Sequence, residues 1–140
     1  FIKLIKPKYV FMGKKDYQQL FLVRNFIKKK YRSKIYACST VRDKNNIALS
    51  SRNFLLSKKN YIKAGLIANF LMKFKCSIKI NNQTKNYLQI IKKELCVNFQ
   101  IKIDYLDIRN EKDLKEKIVN NNYRIFIAYY LGKVRLIDNF

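Results

Sequence analysis

Two short apolar runs frame the first third of the sequence, KYVFMG (residues 8–13) and KIYACST (residues 34–40). Between them Leu20, Val23, Ile27 and Tyr31 recur at helical spacing, with Tyr17 and Phe26 flanking the stripe. A strand, a turn led by Gly13, a helix and a second strand make a βαβ unit. Few folds accept such a unit, because its strands must be parallel and its crossover right-handed. Ligands of such sheets bind outside the carboxyl ends of the strands. Gly13 to Gln19 and Thr40 to Arg42 follow those two ends, so both are expected to face one crevice.

The grammar changes after Val41. RDKNNIALSSRN (residues 42–53) has no helical period and reads as a loop. Ser57 is an expected N-cap for a helix whose apolar face is Ala64, Ile67, Ala68, Leu71 and Phe74. Leu88, Ile91 and Leu95 place another helix over Thr84 to Cys96. Phe99, Ile101, Ile103 and Tyr105 then alternate, as in a strand with one wet face. EKDLKEK (residues 111–117) reads as a short exposed helix, and YRIFIAYYLGKVRLID (residues 123–138) as a β-hairpin turning at Gly132. The only hint of low complexity is the asparagine run Asn120 to Asn122. The expected organisation is an α/β piece over residues 1–41 and a small α+β domain with an antiparallel sheet over residues 42–140.

With 49% hydrophobic and 14% aromatic residues, the chain can build a core and is not a disordered basic tail. No apolar run reaches the length of about 18 residues that a membrane-spanning helix needs. The first residues carry scattered lysines, a poor signal peptide, and lack an initial Met, as if cut from a longer protein. The 3 cysteines are too few and too scattered for a disulfide framework or a zinc site. Cys38, Cys76 and Cys96 read instead as small buried hydrophobes, and their odd number suits a reducing compartment. Histidine is absent, which removes the commonest general base and metal ligand and excludes a Ser-His or Cys-His nucleophile within these residues.

The formal charge of +22 invites a polyanion partner. However, Lys is abundant together with Asn, Ile, Tyr and Phe, while Gly, Pro and Trp are scarce, the joint bias of AT-rich coding sequence. The lysines are spread along the chain, and no basic block exceeds KKKYR (residues 28–32). The charge is therefore expected to be diffuse, with no specific nucleic-acid partner and no membrane.

Two stretches carry chemistry. In GKKDYQQL (residues 13–20) a lone carboxylate, Asp16, sits among lysines just before a helix. Gly13 lets backbone approach a ligand, and a helix N-terminus favours an anion. Lys14 and Lys15 suit phosphate, while Asp16 suits sugar hydroxyls or an ordinary acidic first turn. IALSSRN (residues 47–53) sets two hydroxyls beside a guanidinium, donors fit for a polyphosphate.

Taken together, P-x-x-V-x-x-G-x-K-D-Y-Q-Q-L, then T-V-R-D, A-L-S-S-R-N and a terminal R-L-I-D-N resemble the pantothenate synthetase (pantoate–β-alanine ligase) family in order and spacing from Pro7 to Asn139. The resemblance is to the C-terminal half of that enzyme. It implies the C-terminal part of a Rossmann-like nucleotidyltransferase domain followed by a small α+β domain. It also implies ATP with Mg²⁺, activation of pantoate as pantoyl adenylate, and attack by β-alanine to give pantothenate and AMP. By matching position, Gly13, Lys14, Lys15 and Asp16 belong to the ATP loop, with Lys15 at phosphate and Asp16 near the ribose. Gln19 would bind pantoate, and Val41 would offer its backbone to adenine. Leu49, Ser50, Ser51 and Arg52 match the family's counterpart of the KMSKS loop, which holds the triphosphate. Lys15, Ser50, Ser51 and Arg52 are the expected catalytic group.

A cytoplasmic enzyme, homodimeric at full length, is implied. The alternatives are an inactive remnant, or a basic module for nucleic acid or anionic surfaces. The chain departs from the family's usual residues at Lys8, Met12, Ser39 and Asn46, and the last two are expected to loosen the loop at Val41. The family's histidine motif lies in the half not matched, so these residues alone are not expected to make pantothenate.

Overall fold

The structure is a computed structural model describing residues 2–78, 80, 84–118 and 121–140, the side chains of Lys28 and Lys29 excepted. The side chains of those two lysines of the KKKYR block, and Asn120 of the asparagine run, lie outside what is described. The chain divides into two compact units, Phe1–Val41 and Arg42–Phe140.

In the first unit a single turn, α1 (Ile2–Ile5), leads into β1 (Tyr9–Gly13). β1 runs parallel to β2 (Lys34–Cys38), with Gly13 opposite Cys38. The crossover is a 3₁₀ turn over Lys14–Asp16 followed by α2 (Tyr17–Lys30), so the regular helix starts two residues later than the apolar period suggests. Tyr17, Leu20 and Ile27 of the stripe are buried, whereas Phe26 is exposed beside Tyr31. Strand alternation brings Tyr9, Phe11 and Tyr36 to the same face, with ring centroids 5.6 and 5.3 Å from that of Tyr36. That aromatic face is exposed.

In the second unit α3 (Lys58–Ser77) is capped by Ser57, whose hydroxyl accepts from the Asn60 N–H. α3 buries Ala64, Ile67, Ala68 and Leu71, and α4 (Thr84–Phe99) buries Leu95. Both helices contribute to a core with a three-stranded antiparallel sheet ordered β3 (Lys102–Asn110), β4 (Tyr123–Leu131), β5 (Val134–Asn139). Ile125 and Ile127 on the central strand are fully buried. Gly132 turns the hairpin at φ +61°, a conformation that favours glycine.

Four expectations are corrected. Phe99 closes α4 and packs edge-on against Phe70 rather than opening the strand. A bulge between Ile103 and Tyr105 then shifts the strand's register. Ile101 and Ile103 are buried before it, Ile108 and Asn110 after it, so the inward set switches from odd to even positions. EKDLKEK is a series of turns, not a helix. Asn110 Oδ1 accepts from the Lys112 N–H and Asp113 Oδ1 from the Lys115 N–H, and Leu114 adopts φ +58°. Side chains that bond nearby backbone in this way compete with a helical ladder. Finally, Cys38 and Cys76 are exposed, while Cys96 is half-buried and packs against the core.

Candidate functional site

Gly13 ends β1 at the carboxyl edge of the parallel pair. Its φ of −71° and ψ of 138° are ordinary extended values. A Cβ built there would meet nothing within 4 Å. Neither conformation nor packing within the chain calls for glycine at this position. The 3₁₀ turn that follows leaves Lys14 and Lys15 half-buried and Asp16 exposed. Asp16 occupies the N-cap position of α2, yet its carboxylate makes no capping hydrogen bond. An aspartate there normally accepts from an N–H of the first turn, so Asp16 stands in the first turn without acting as a hydrogen-bonding cap. Gln19, in the first turn of α2, is exposed. Val41, the last residue of this unit, is exposed as well.

In the second unit, residues 42–48 form a tight turn rather than the open loop the sequence suggests. Arg42 and Ala48 form an antiparallel bridge. The Asp43 carboxylate accepts from the Asn45 and Ile47 N–H groups at 2.9 and 2.8 Å, and from the Tyr61 hydroxyl at 2.6 Å. Burial works to raise the Asp43 carboxyl, but these three hydrogen bonds and nearby Lys44 hold it below the usual carboxylate range. The hydrogen bond to Asp43 raises the Tyr61 phenol.

Asn46 takes φ +66°, a left-handed conformation that asparagine tolerates better than most residues. Its side-chain amide donates to Asn69 Oδ1 at 2.7 Å. Beneath the turn Gly65 of α3 lies so close that a Cβ would stand 3.0 Å from Asn45. The expected loosening at Asn46 is therefore not found. Asparagine supplies both the positive φ and a tether.

The turn delivers Ile47 and Ala48 into the core and then releases the chain outward. Leu49, Ser51 and Arg52 are exposed. Asn53 Nδ2 donates back to the Ala48 carbonyl at 3.1 Å, and Ser50 Oγ accepts from the Arg52 N–H, starting a 3₁₀ turn over Ser51–Leu55. The result is a short exposed segment pinned at both ends.

Sequence reasoning missed the group behind this segment. Arg42 donates to both Asp138 oxygens, to the Asn46 carbonyl and to the Asn139 carbonyl, and lies over the Phe140 ring at 4.7 Å. The only signal was that Arg42 and Asp138 fall within the T-V-R-D and R-L-I-D-N motifs.

A cavity of about 470 Å³ lies elsewhere in this unit, lined by Thr84, Lys85, Leu88, Asp107 and Glu116 among others. Of its charged residues, Lys85 pairs with Glu116 and Asp107 with Arg109. None of its residues was singled out by the motifs. Among the described residues no three Asp, Glu or Cys gather as a metal-ligand set, and no helix is long and apolar enough to cross a membrane.

The family model for pantoate-beta-alanine ligase matches residues 1–140. The chain is 36% identical over 140 residues to pantothenate synthetase from Campylobacter hominis and 33% identical over 143 residues to that from Flavobacterium psychrophilum. These alignments cover 97% and 98% of this chain but 50% of each relative, so the chain spans about half the length of the curated relatives it matches. The crystal structure of pantothenate synthetase from Thermus thermophilus superposes with a TM-score of 0.79 at 26% identity, covering 99% of this chain and 51% of that one. A pantoate-beta-alanine ligase from Francisella tularensis, complexed with beta-gamma ATP and beta-alanine, superposes at 0.74 with 31% identity, covering 99% and 45%.

Proposed function

Because the chain belongs to the pantoate–beta-alanine ligase family, we propose that it supplies one half of a ligase site that joins pantoate to β-alanine at the expense of ATP. On the motif resemblance we take it to be the C-terminal half. Two features support that choice. These residues contain no histidine, and the resemblance implies that the family's histidine motif lies in the other half. A βαβ unit followed by an α+β unit is also the order that the resemblance implies for the C-terminal half.

The reaction runs through pantoyl adenylate. The pantoate carboxylate attacks the α-phosphate in line and pyrophosphate leaves. The β-alanine amine then attacks the acyl carbon and AMP leaves. Both nucleophiles come from substrates, so the protein's task is positioning and neutralising charge on the leaving group. Lys15 of the first unit, and Ser50, Ser51 and Arg52 of the second, are each assigned to nucleotide phosphate by their motifs. Mg²⁺ would enter with ATP and, when bound, would add to the same neutralisation. Asp16 binds ribose hydroxyls, Gln19 binds pantoate, and the Val41 backbone meets adenine.

The observation that carries this reading is the turn at the end of β1. Gly13 is a glycine that nothing inside the chain requires, and Asp16 is a carboxylate that declines its capping role. Both facts are explained by a ligand over the carboxyl end of the strand.

The test is pyrophosphate release with ATP, Mg²⁺, pantoate and β-alanine. The 140 residues alone should give none, and adding the N-terminal half of a related ligase should restore release. Turnover by the 140 residues alone would mean that the catalytic groups are misplaced here. An associated but inactive mixture would favour a remnant.

A further inference from the structure

The turn at residues 42–48 and the end of β5 come from opposite ends of the second unit, and one guanidinium joins them. Arg42 is 17% exposed and Asp138 10% exposed. Three of Arg42's hydrogen bonds run to Asp138 and the Asn139 carbonyl, and a fourth runs to the Asn46 carbonyl inside the turn. The same residue bridges Ala48, the last buried position before the exposed segment Leu49–Arg52. Asn53 returns to the Ala48 carbonyl. The path from the chain's last strand to the exposed hydroxyls and guanidinium is thus a continuous set of bonds: Asp138, Arg42, Ala48, Asn53.

We propose that Arg42 and Asp138 are positioning residues that fix the Leu49–Arg52 segment for the triphosphate. Neither touches the nucleotide. This rests on the ligase reading for what the segment binds, but not for the mechanical coupling itself. A lysine at position 42 keeps the charge but cannot reach Asp138, Asn139 and Asn46 together, because it lacks the planar fork of guanidinium. An asparagine at position 138 keeps the shape but removes the charge.

The coupling is read by amide hydrogen exchange in the 140-residue chain and its R42K and D138N variants. Asn46, Ile47, Arg52 and Asn53 all donate their N–H groups within the turn or the segment. Their exchange should quicken in both variants by about tenfold or more beyond any change at Ile67, Leu71 and Leu95, because a local opening adds to whatever global stability is lost. No change at the four amides overturns the proposal. So does an equal change everywhere, which would mark a merely structural pair. If R42K loses all protection, D138N decides.

A second readout is MgATP affinity of the chain with the N-terminal half supplied. Weakening by about tenfold in R42K, with β-alanine KM unchanged, is the expected split, since small misplacements near a reacting group are costly. A wild-type mixture that binds no MgATP would remove the ligase reading. The exchange result would still stand or fall by itself.

Discussion

Arg42 and Asp138, 96 residues apart in sequence, meet in a two-bond ion pair with Nη1–Oδ2 at 2.7 Å and Nη2–Oδ1 at 2.9 Å. The pair is partly shielded from water and is completed by two backbone carbonyls and the Phe140 ring. Removing one partner leaves the other charge without its counterion. Asp138→Ala should therefore destabilise the second unit by about 3 kcal/mol. Urea unfolding followed at Tyr fluorescence measures it, and a loss within experimental error would show that the pair is solvated.

Asn46 joins a positive φ to a side-chain bond with Asn69. Asn46→Ala should cost about 1–2 kcal/mol, because alanine lacks the polar side chain that lets asparagine tolerate the left-handed region and the tether is lost. Asn46→Gly relieves the strain and should cost less than half as much. Equal losses in the two variants would mean that backbone conformation plays no part.

The Asp43–Tyr61 pair contributes to both edges of a stability plateau. The Asp43 carboxyl sits below its ordinary 3.8, so its contribution is present above that pH and is lost as pH falls through the depressed value. The Tyr61 phenol sits above its ordinary 10.0, so its contribution is present below that pH and is lost as pH rises through the raised value. Tyr61→Phe should move the Asp43 titration upward, and the acid end of the plateau should move to higher pH. Carboxyl NMR and acid unfolding report the two shifts, and an unmoved Asp43 titration would count against the hydrogen bond.

Lys15 and Arg52 are each proposed to bind nucleotide phosphate. Each alanine variant should weaken MgATP binding by about tenfold or more in the chain with its N-terminal half supplied, in line with the loss of a charge-assisted hydrogen bond. Wild-type affinity of either variant in calorimetric titration would remove that residue from the phosphate contacts.

Much of the local structure was legible in the sequence because it is dictated by short-range periodicity. Leu20 and Ile27 repeat every turn and are buried, and Ala64, Ile67, Ala68 and Leu71 do the same in α3. The β1–α2–β2 order alone required parallel pairing, and Gly132 marked the hairpin. The motif residues Gly13 to Gln19 and Leu49 to Arg52 stood out by chemistry and order. Three things did not follow from the sequence. The bulge after Ile103 reverses which residues face inward, and it depends on how β3 meets β4 rather than on β3 itself. The turns at residues 111–117 arise because side chains of Asn110 and Asp113 take backbone donors that a helix would use. The Arg42–Asp138 pair joins residues too distant for any period to connect. Local propensity and spacing fixed the helices, the parallel unit and the candidate loops. Only tertiary packing decided the register of β3, the partner of Arg42 and the rigidity of the turn behind Ser50 and Arg52, because each depends on which distant groups are brought within hydrogen-bond reach.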